Sequence, residues 1–301
     1  MAFLAYLKHL AGFVAILMTL SAVSPFPVKT GQETTNSVLN TTSTELRESA
    51  VTTKPKKKSA QKNAAATIDT YYSGQLQKLG INLRPGTDHT PASKSTPTSS
   101  SKCKSIVYKT LLKLPAEHRQ QLNELTLFYA KTGRRGLGGD GAIILRCLNV
   151  TDEELSSVLV HEVGHLVDGG FLAGRDQFNQ SGFYDFEDPV LADDPSSAFY
   201  RISWINNKIL QPSATELDFV STYAVTDPFE DFAETYTYYR LHGPEFRTLA
   251  EFNQVLKQKY EFMKSFVFFG KEYGMAAQNQ EIDINVLARN YDVTVLPVTS
   301  M

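Results

Sequence analysis

The sequence predicts a mixed α+β domain in which a small β-sheet packs on a helix that carries the motif H-E-V-G-H. Two segments rich in β-forming residues, 125–130 and 142–148, precede this helix. Apolar residues then recur at helical spacing through the motif and again after Pro228, where a second helix is expected. Strands followed by helices within one compact stretch are typical of the α+β class.

Composition divides the 301-residue chain into three parts. Residues 1–24 combine Lys8, an apolar run and small residues, as in a secretory signal peptide, with an uncleaved membrane anchor as the alternative. Residues 25–102 are rich in Thr, Ser, Lys and Pro and predict a disordered stalk, in which 68–83 is a candidate short helix. Residues 103–301 are long enough to build one hydrophobic core. We therefore expect an extracytoplasmic protein, secreted or anchored at the cell surface.

The net charge bears on nucleic-acid binding, and the cysteine content bears on disulfide formation. The formal net charge is only -2, which gives no electrostatic reason to expect nucleic-acid binding. Cys103 and Cys147 are the two cysteines of the chain, and they form either one disulfide in an oxidising compartment or two separate thiols.

The segment after Thr151 is predicted to be the helix that carries the chemistry. Thr151 and Glu154 have the spacing of a capping box, which marks the start of a helix. His161 and His165 are four residues apart, so their imidazoles lie on one helical face about one turn apart and can bind the same cation.

Glu162 has a different task in this motif. It is rotated by about 100° from His161, which suits a general base for a metal-activated water better than a third equivalent ligand. Gly164, between the histidines, has no side chain and permits another segment to approach the helix closely. The motif therefore predicts a zinc site of the hydrolytic kind.

The third ligand is not part of the motif. A third histidine six residues after His165 is excluded, because Phe171 stands there. Glu230 and Glu234 are four residues apart on one predicted helical face and are the two candidates. Glu230 also has the spacing of a capping box with Asp227, which is its alternative role.

Two blocks of this sequence resemble a known family. HEVGHLVDGG, residues 161–170, and STYAVTDPFEDFAETYTYYRLH, residues 221–242, are similar to the anthrax-lethal-factor-like and Pro-Pro endopeptidase family of gluzincins. In that family a tyrosine precedes the ligand glutamate by seven residues and a second glutamate follows it by four. The chain has Tyr223, Glu230 and Glu234 at those spacings.

The resemblance implies a zincin-like catalytic domain with one Zn²⁺ per chain. It implies that His161, His165 and Glu230 ligate the ion and that Tyr223 stabilises the oxyanion. It also implies that Glu234 and Asp168 support the histidines from outside the ligand shell.

We therefore expect a zinc-dependent endopeptidase that hydrolyses peptide bonds of a peptide or protein substrate, with Glu162 as general base. Two alternatives stay open: a zinc-stabilised, non-catalytic module that binds an envelope or host protein, and an amidase of peptidoglycan cross-bridges. Glu162 favours hydrolysis, because a structural metal site needs no base between its histidines.

Other segments complete the prediction. Gly136, Gly138 and Gly141 spell G-x-G-x-x-G, but no helix follows, so a loop or hairpin is expected in place of a dinucleotide site. Residues 142–148 are expected at or near the edge of the sheet. Residues 199–204 are expected as a strand or as part of a long loop, and 245–269 as one long helix.

Overall fold

The computed structural model describes residues 56–86, 96–176, 178–274 and 291–298, which form a mixed α+β fold. The expected signal segment, 1–24, lies outside the described residues. The helices are α1 Lys56–Lys78, α2 Pro97–Leu112, α3 Ala116–Arg119, α4 Asp152–Leu166, α5 Ser196–Ser203, α6 Pro228–Leu241, α7 Gly243–Phe252 and α8 Gln254–Phe262. The strands are β1 Asn82–Pro85, β2 Glu124–Phe128, β3 Gly136–Gly139, β4 Ala142–Arg146, β5 Gln180–Asp185, β6 Asp188–Leu191, β7 Trp204–Asn206 and β8 Ile209–Leu210. In this part of the chain no helix is both long enough and apolar enough to cross a bilayer.

The main sheet has the strand order β1-β2-β4-β3. Strands β1, β2 and β4 run parallel, and β3 pairs antiparallel with β4. Asp140 and Gly141 form the two-residue turn between β3 and β4, both with positive φ, as a tight hairpin turn requires. The hairpin expected around the glycines is confirmed, and β3 forms the edge of the sheet with β4 one strand further in.

Helix α4 lies at the centre of the fold. It packs on β3 and β4 on one side and on α2 and α6 on others. Gly164 marks the contact with α6, because a Cβ atom there would lie 3.0 Å from the Cα of Ala233 and 3.3 Å from the ring of Tyr236. The expectation that Gly164 permits a close approach is confirmed, and the two helices pack nearly backbone to backbone.

Residues 56–86 and 96–102 of the expected stalk are folded, and the short helix expected within 68–83 is part of a longer helix that ends at Lys78. Helix α1 and strand β1 lie there, and the first turns of α2 precede Cys103. Leu76 and Ile81 are fully buried in the core, and β1 pairs with β2. The average composition of a segment does not predict such contacts. Two or three buried apolar residues and a strand pairing at the sheet edge are enough to pack a polar helix against the domain. The remaining residues of the stalk, 25–55 and 87–95, lie outside the described part of the chain.

Two further element predictions need correction. Residues 199–203 belong to helix α5, and only Trp204 begins a strand. The helix expected over 245–269 is interrupted at Asn253, whose backbone is extended and whose side chain accepts hydrogen bonds from Val255 and Leu256 at the start of α8. Asparagine side chains compete with the helical backbone for its own donors, which favours a new cap over a continuous helix.

Cys103 and Cys147 form a disulfide that joins α2 to the end of β4. Of the two alternatives, the structure therefore has the bridge. The disulfide therefore connects the helix that packs beside α4 to the strand that precedes α4 in the chain.

Removal of residues 1–102 is expected to destabilise the domain, whereas removal of residues 1–55 leaves every described contact in place. The longer deletion loses the burial of Leu76 and Ile81, each worth about 1.5–3 kcal/mol, so its free energy of unfolding should fall by at least about 3 kcal/mol. Urea unfolding of the two shortened chains measures the difference. If the two shortened chains have the same free energy of unfolding, residues 56–86 do not contribute to the stability of the domain.

Candidate metal centre

Helix α4 begins where the sequence predicts. The Thr151 side chain accepts a hydrogen bond from the backbone N–H of Glu154 at 3.0 Å, and three acidic residues occupy the first turn, where the helix dipole favours negative charge. The carboxylate of Glu154 is engaged by Arg135 at 3.3 Å. This well-defined start fixes which residues of α4 face α6.

Three side chains from two helices meet at one point. The Nε2 atom of His161 lies 3.2 Å from Oε2 of Glu230, and Nε2 of His165 lies 3.5 Å from the same oxygen. One potential ligand atom from each of the three residues lies within 4.8 Å of the others. Within the described residues this is the one such group of His, Cys, Asp and Glu side chains.

The Oε2 atom of Glu230 is buried and has no hydrogen-bond partner of normal geometry. A buried carboxylate oxygen without compensation is costly. Burial raises the pKa of Glu230, but the adjacent imidazoles of His165 and His161 lower it more, so the pKa lies below its ordinary value. An ionised oxygen that faces two imidazole nitrogens fits a divalent cation bound among the three residues.

His161 is oriented by Glu234. Its Nδ1 atom lies 2.9 Å from Oε1 of Glu234, so the imidazole donates there and directs the lone pair of Nε2 toward Glu230. Oε2 of Glu234 accepts hydrogen bonds from the hydroxyl of Ser221 at 2.5 Å and from the backbone N–H of Val293 at 2.8 Å. The structure therefore puts Glu234 behind the histidine, as the resemblance implies.

Glu162 is buried on the side of α4 that faces the edge strand. A Cβ atom on Gly136 would lie 2.1 Å from Oε1 of Glu162, and one on Gly138 would lie 2.6 Å from its backbone oxygen. A side chain at Gly138 would therefore clash with the main chain of α4, and one at Gly136 would displace the carboxylate of Glu162. Burial raises the pKa of Glu162, although the nearby His161 and His165 lower it in part.

Tyr223 is half exposed at the rim of the centre, with 43% of its surface accessible. Its hydroxyl donates to Oε1 of Glu230 at 3.0 Å, and its ring lies beside that of His161. Burial and the charge of Glu230 raise the pKa of Tyr223, so the hydroxyl is protonated near neutral pH and can act as a donor.

The carboxylate of Asp168 is buried, and a tyrosine donates a hydrogen bond to it. Its Oδ2 atom accepts from the hydroxyl of Tyr200 at 2.7 Å, and Oδ1 has no hydrogen-bond partner. Burial raises the pKa of Asp168 to about 8. Asp168 lies in the π-helical turn Val167–Phe171 after Leu166, and it is close enough to His165 for the charge of that imidazole to affect its pKa. Its support of the histidines, which the resemblance implies, stays a prediction.

Sequence reasoning did not find Ser221, Val293, Gly136 or Gly138 as residues of this centre. Ser221 lies within the block that resembles the gluzincins but has no distinctive spacing. Val293 contributes a backbone N–H, for which no side-chain signal exists. The two glycines were recognised only as part of a hairpin.

A comparison of the chain with known protein families and with curated proteins found no match. The class of the site therefore rests on its geometry. Helix α4 presents His161 and His165 one turn apart, and helix α6 presents Glu230 to both of them. The motif's own glutamate, Glu162, is buried against edge strand β3.

Replacement of Glu230 by Gln is expected to weaken zinc binding much more than replacement of Glu234. The first change removes the charged oxygen that faces both imidazoles, whereas the second weakens a support, which typically costs about 10- to 100-fold in affinity. Competition with a chromophoric chelator measures both affinities. The reverse order would identify Glu234 as the ligand.

Proposed function

We propose that this protein is a zinc-dependent endopeptidase with a zincin-like catalytic domain. The observation that carries the proposal is the convergence of His161, His165 and Glu230 around a buried carboxylate oxygen that has no hydrogen-bond partner. Two imidazoles and a carboxylate form a donor set that binds Zn²⁺ and leaves a position open, as in hydrolytic sites. Zn²⁺ held there supplies Lewis acidity, which makes a water more acidic and polarises a peptide carbonyl.

Glu162 acts as the general base in this proposal. Burial raises the pKa of its carboxyl, which brings its basicity closer to that needed for proton transfer near neutral pH. The carboxylate accepts a proton from the attacking water and returns it to the nitrogen of the leaving amine. A buried carboxylic acid beside the histidines also argues against a purely structural metal site, which has no use for it.

Tyr223 serves as an electrophilic donor. Its hydroxyl is protonated, its side chain is half exposed and its ring lies beside that of His161, so it can donate a hydrogen bond to a carbonyl oxygen that gains negative charge. The bond to Glu230 holds the hydroxyl at the rim of the centre in the absence of substrate.

Strand β3 offers a surface for the substrate. It is one of the two edge strands of the main sheet, and an extended peptide can pair with such an edge through backbone hydrogen bonds. Gly136 and Gly138 bring this edge directly against Glu162. A peptide bound along β3 would therefore lie beside the general base.

The compartment proposed for this activity is extracytoplasmic. The disulfide between Cys103 and Cys147 supports an oxidising environment, and residues 1–24 have the composition of a secretory signal or membrane anchor. Both features are consistent with a secreted or surface-tethered enzyme.

The purified protein is expected to bind about one zinc ion per chain and to hydrolyse peptides, and Glu162→Gln should keep the metal and lose turnover. Glu187→Gln, an exposed acid on the turn between β5 and β6, is the matched control and should retain activity. Metal content and cleavage of a peptide library, beside peptidoglycan cross-bridge substrates, are the measurements. Zinc binding without hydrolysis of any substrate would favour a binding module, and cleavage of cross-bridges alone would favour an amidase.

Tyr223→Phe should fold normally and lower kcat by about 100-fold or more, with little change in KM, if the hydroxyl acts on the developing oxyanion. Tyr184→Phe, which removes a half-exposed hydroxyl from strand β5, is the control. Steady-state kinetics and zinc content should be measured together. A near-normal kcat would limit Tyr223 to its hydrogen bond with Glu230.

A further inference from the structure

Residues 291–298 are far from the motif in sequence but contact the metal centre in the fold. Val293 is fully buried, and its backbone N–H donates to Oε2 of Glu234 at 2.8 Å. The carbonyl of Tyr291 accepts from the hydroxyl of Thr222, next to Tyr223. This 291–298 segment thus covers the side of Glu234 that faces away from the histidine.

The contact with Val293 bears directly on His161. Both carboxylate oxygens of Glu234 accept hydrogen bonds. Oε1 accepts from Nδ1 of His161 at 2.9 Å, and Oε2 accepts from the backbone N–H of Val293 and the hydroxyl of Ser221. A carboxylate held at both oxygens has a fixed plane. The orientation of that plane determines where the imidazole directs Nε2, the atom that faces Glu230.

A charged network holds the 291–298 segment in place. Arg135, which directly precedes edge strand β3, forms an ion pair with Asp292 and donates to Thr294 at 2.8 Å. The same guanidinium reaches Glu154 on the first turn of α4 at 3.3 Å. The segment is therefore tied to both the edge strand and the helix that carries the motif.

A second tie to α4 lies further along the segment. The backbone N–H of Val298 donates to Oε1 of Glu153 at 2.6 Å. Both ends of the 291–298 segment are thus anchored on the structure that surrounds the centre, with Val293 between the anchors.

We infer that the 291–298 segment is a positioning element of the metal centre, in which the backbone N–H of Val293 orients Glu234 and, through it, the zinc-binding imidazole of His161. The inference rests on the proposed function for the presence of zinc. Because the donor is a main-chain group, most side chains at position 293 preserve it, and proline is the one residue that removes it.

The local backbone allows this substitution with little strain. Val293 is the first residue of a 3₁₀ turn, Val293–Val295, capped by Asp292, and its N–H is not used within that turn. Proline is favoured at the first helical position. Asp292 has φ -97 and ψ 152, the extended conformation that a residue before proline prefers.

Val293→Pro is expected to weaken zinc binding by about 10- to 100-fold, the usual effect of removing a support of a metal-ligating histidine. Val293→Ala keeps the N–H and loses only apolar packing, so its zinc affinity should stay close to that of the wild type. Chelator competition gives the affinities, and the absorption spectrum of the Co²⁺-substituted protein reports the ligand geometry. Thermal unfolding of the metal-free variants separates a general loss of stability from an effect on the centre.

A double-mutant cycle tests whether Val293 acts through Glu234. In a Glu234→Met background, Val293→Pro should cause no further loss of zinc affinity, because the carboxylate that accepts from the N–H of residue 293 is already gone.

If Val293→Pro does not fold, Asp292→Ala takes its place. This change removes the ion pair between Arg135 and the 291–298 segment but keeps the N–H of Val293, and zinc affinity should become several-fold weaker.

The outcomes separate this inference from the proposed function. Suppose that the wild-type protein binds zinc and cleaves peptides, and that folded Val293→Pro or Asp292→Ala binds zinc as tightly as the wild type. This result would overturn the role of the 291–298 segment and leave the proposed function in place. Equal losses of affinity in Val293→Pro and Val293→Ala would also overturn it, because packing would then explain the effect. A wild-type protein that binds no zinc would overturn the proposed function, and this inference with it.

Discussion

Helices α4 and α6 can approach each other closely because Gly164 has no side chain. A Cβ atom at that position would lie only 3.0 Å from the main chain of Ala233, which is closer than an ordinary van der Waals contact. The histidines flank Gly164 on α4, and Glu230 and Glu234 flank Ala233 on α6. The spacing of the two helices at this point therefore determines whether the glutamates reach the imidazoles.

Helix α6 brings three carboxylates into the interior, and each has a different environment. Asp231 is fully buried and forms an ion pair with the buried Lys259 at 2.8 Å. Glu234 is fully buried as well and accepts from His161. Glu230 alone of the three keeps a buried oxygen without a hydrogen-bond partner, and that oxygen faces both histidines. Since buried carboxylates are tolerated only when compensated, the compensation of Glu230 comes from the two imidazoles that its oxygen faces, and this arrangement supports the proposal of a cation there.

The start of each functional helix was predictable because capping is local. Thr151 caps α4 and Asp227 caps α6, and in each case the signal lies within three or four residues of the helix start. The spacing of His161 and His165 likewise depends only on the regular helix. After Leu166 the helix loses its regular geometry, and regular helical spacing did not predict that the hydroxyl of Tyr200 would donate to Asp168.

The role of α1 and β1 was not predictable from composition. Residues 56–86 are polar on average, and their docking depends on a few side chains such as Leu76 and on the free edge of β2. The same limit applies to the metal centre. The hydrogen bond from Val293 to Glu234 joins groups 59 positions apart through a main-chain donor, which leaves no pattern in a single sequence.

The sequence by itself determined the residues that are close along the chain: two histidines on one face, a glutamate between them, and a second helix with glutamates one turn apart. Helical periodicity fixes these relations before any tertiary contact forms. Only the tertiary structure decided which glutamate oxygen faces the histidines, which strand lies against Glu162, and which segment supports Glu234. Those relations depend on how closely distant segments pack, and packing distance is a property of the folded core.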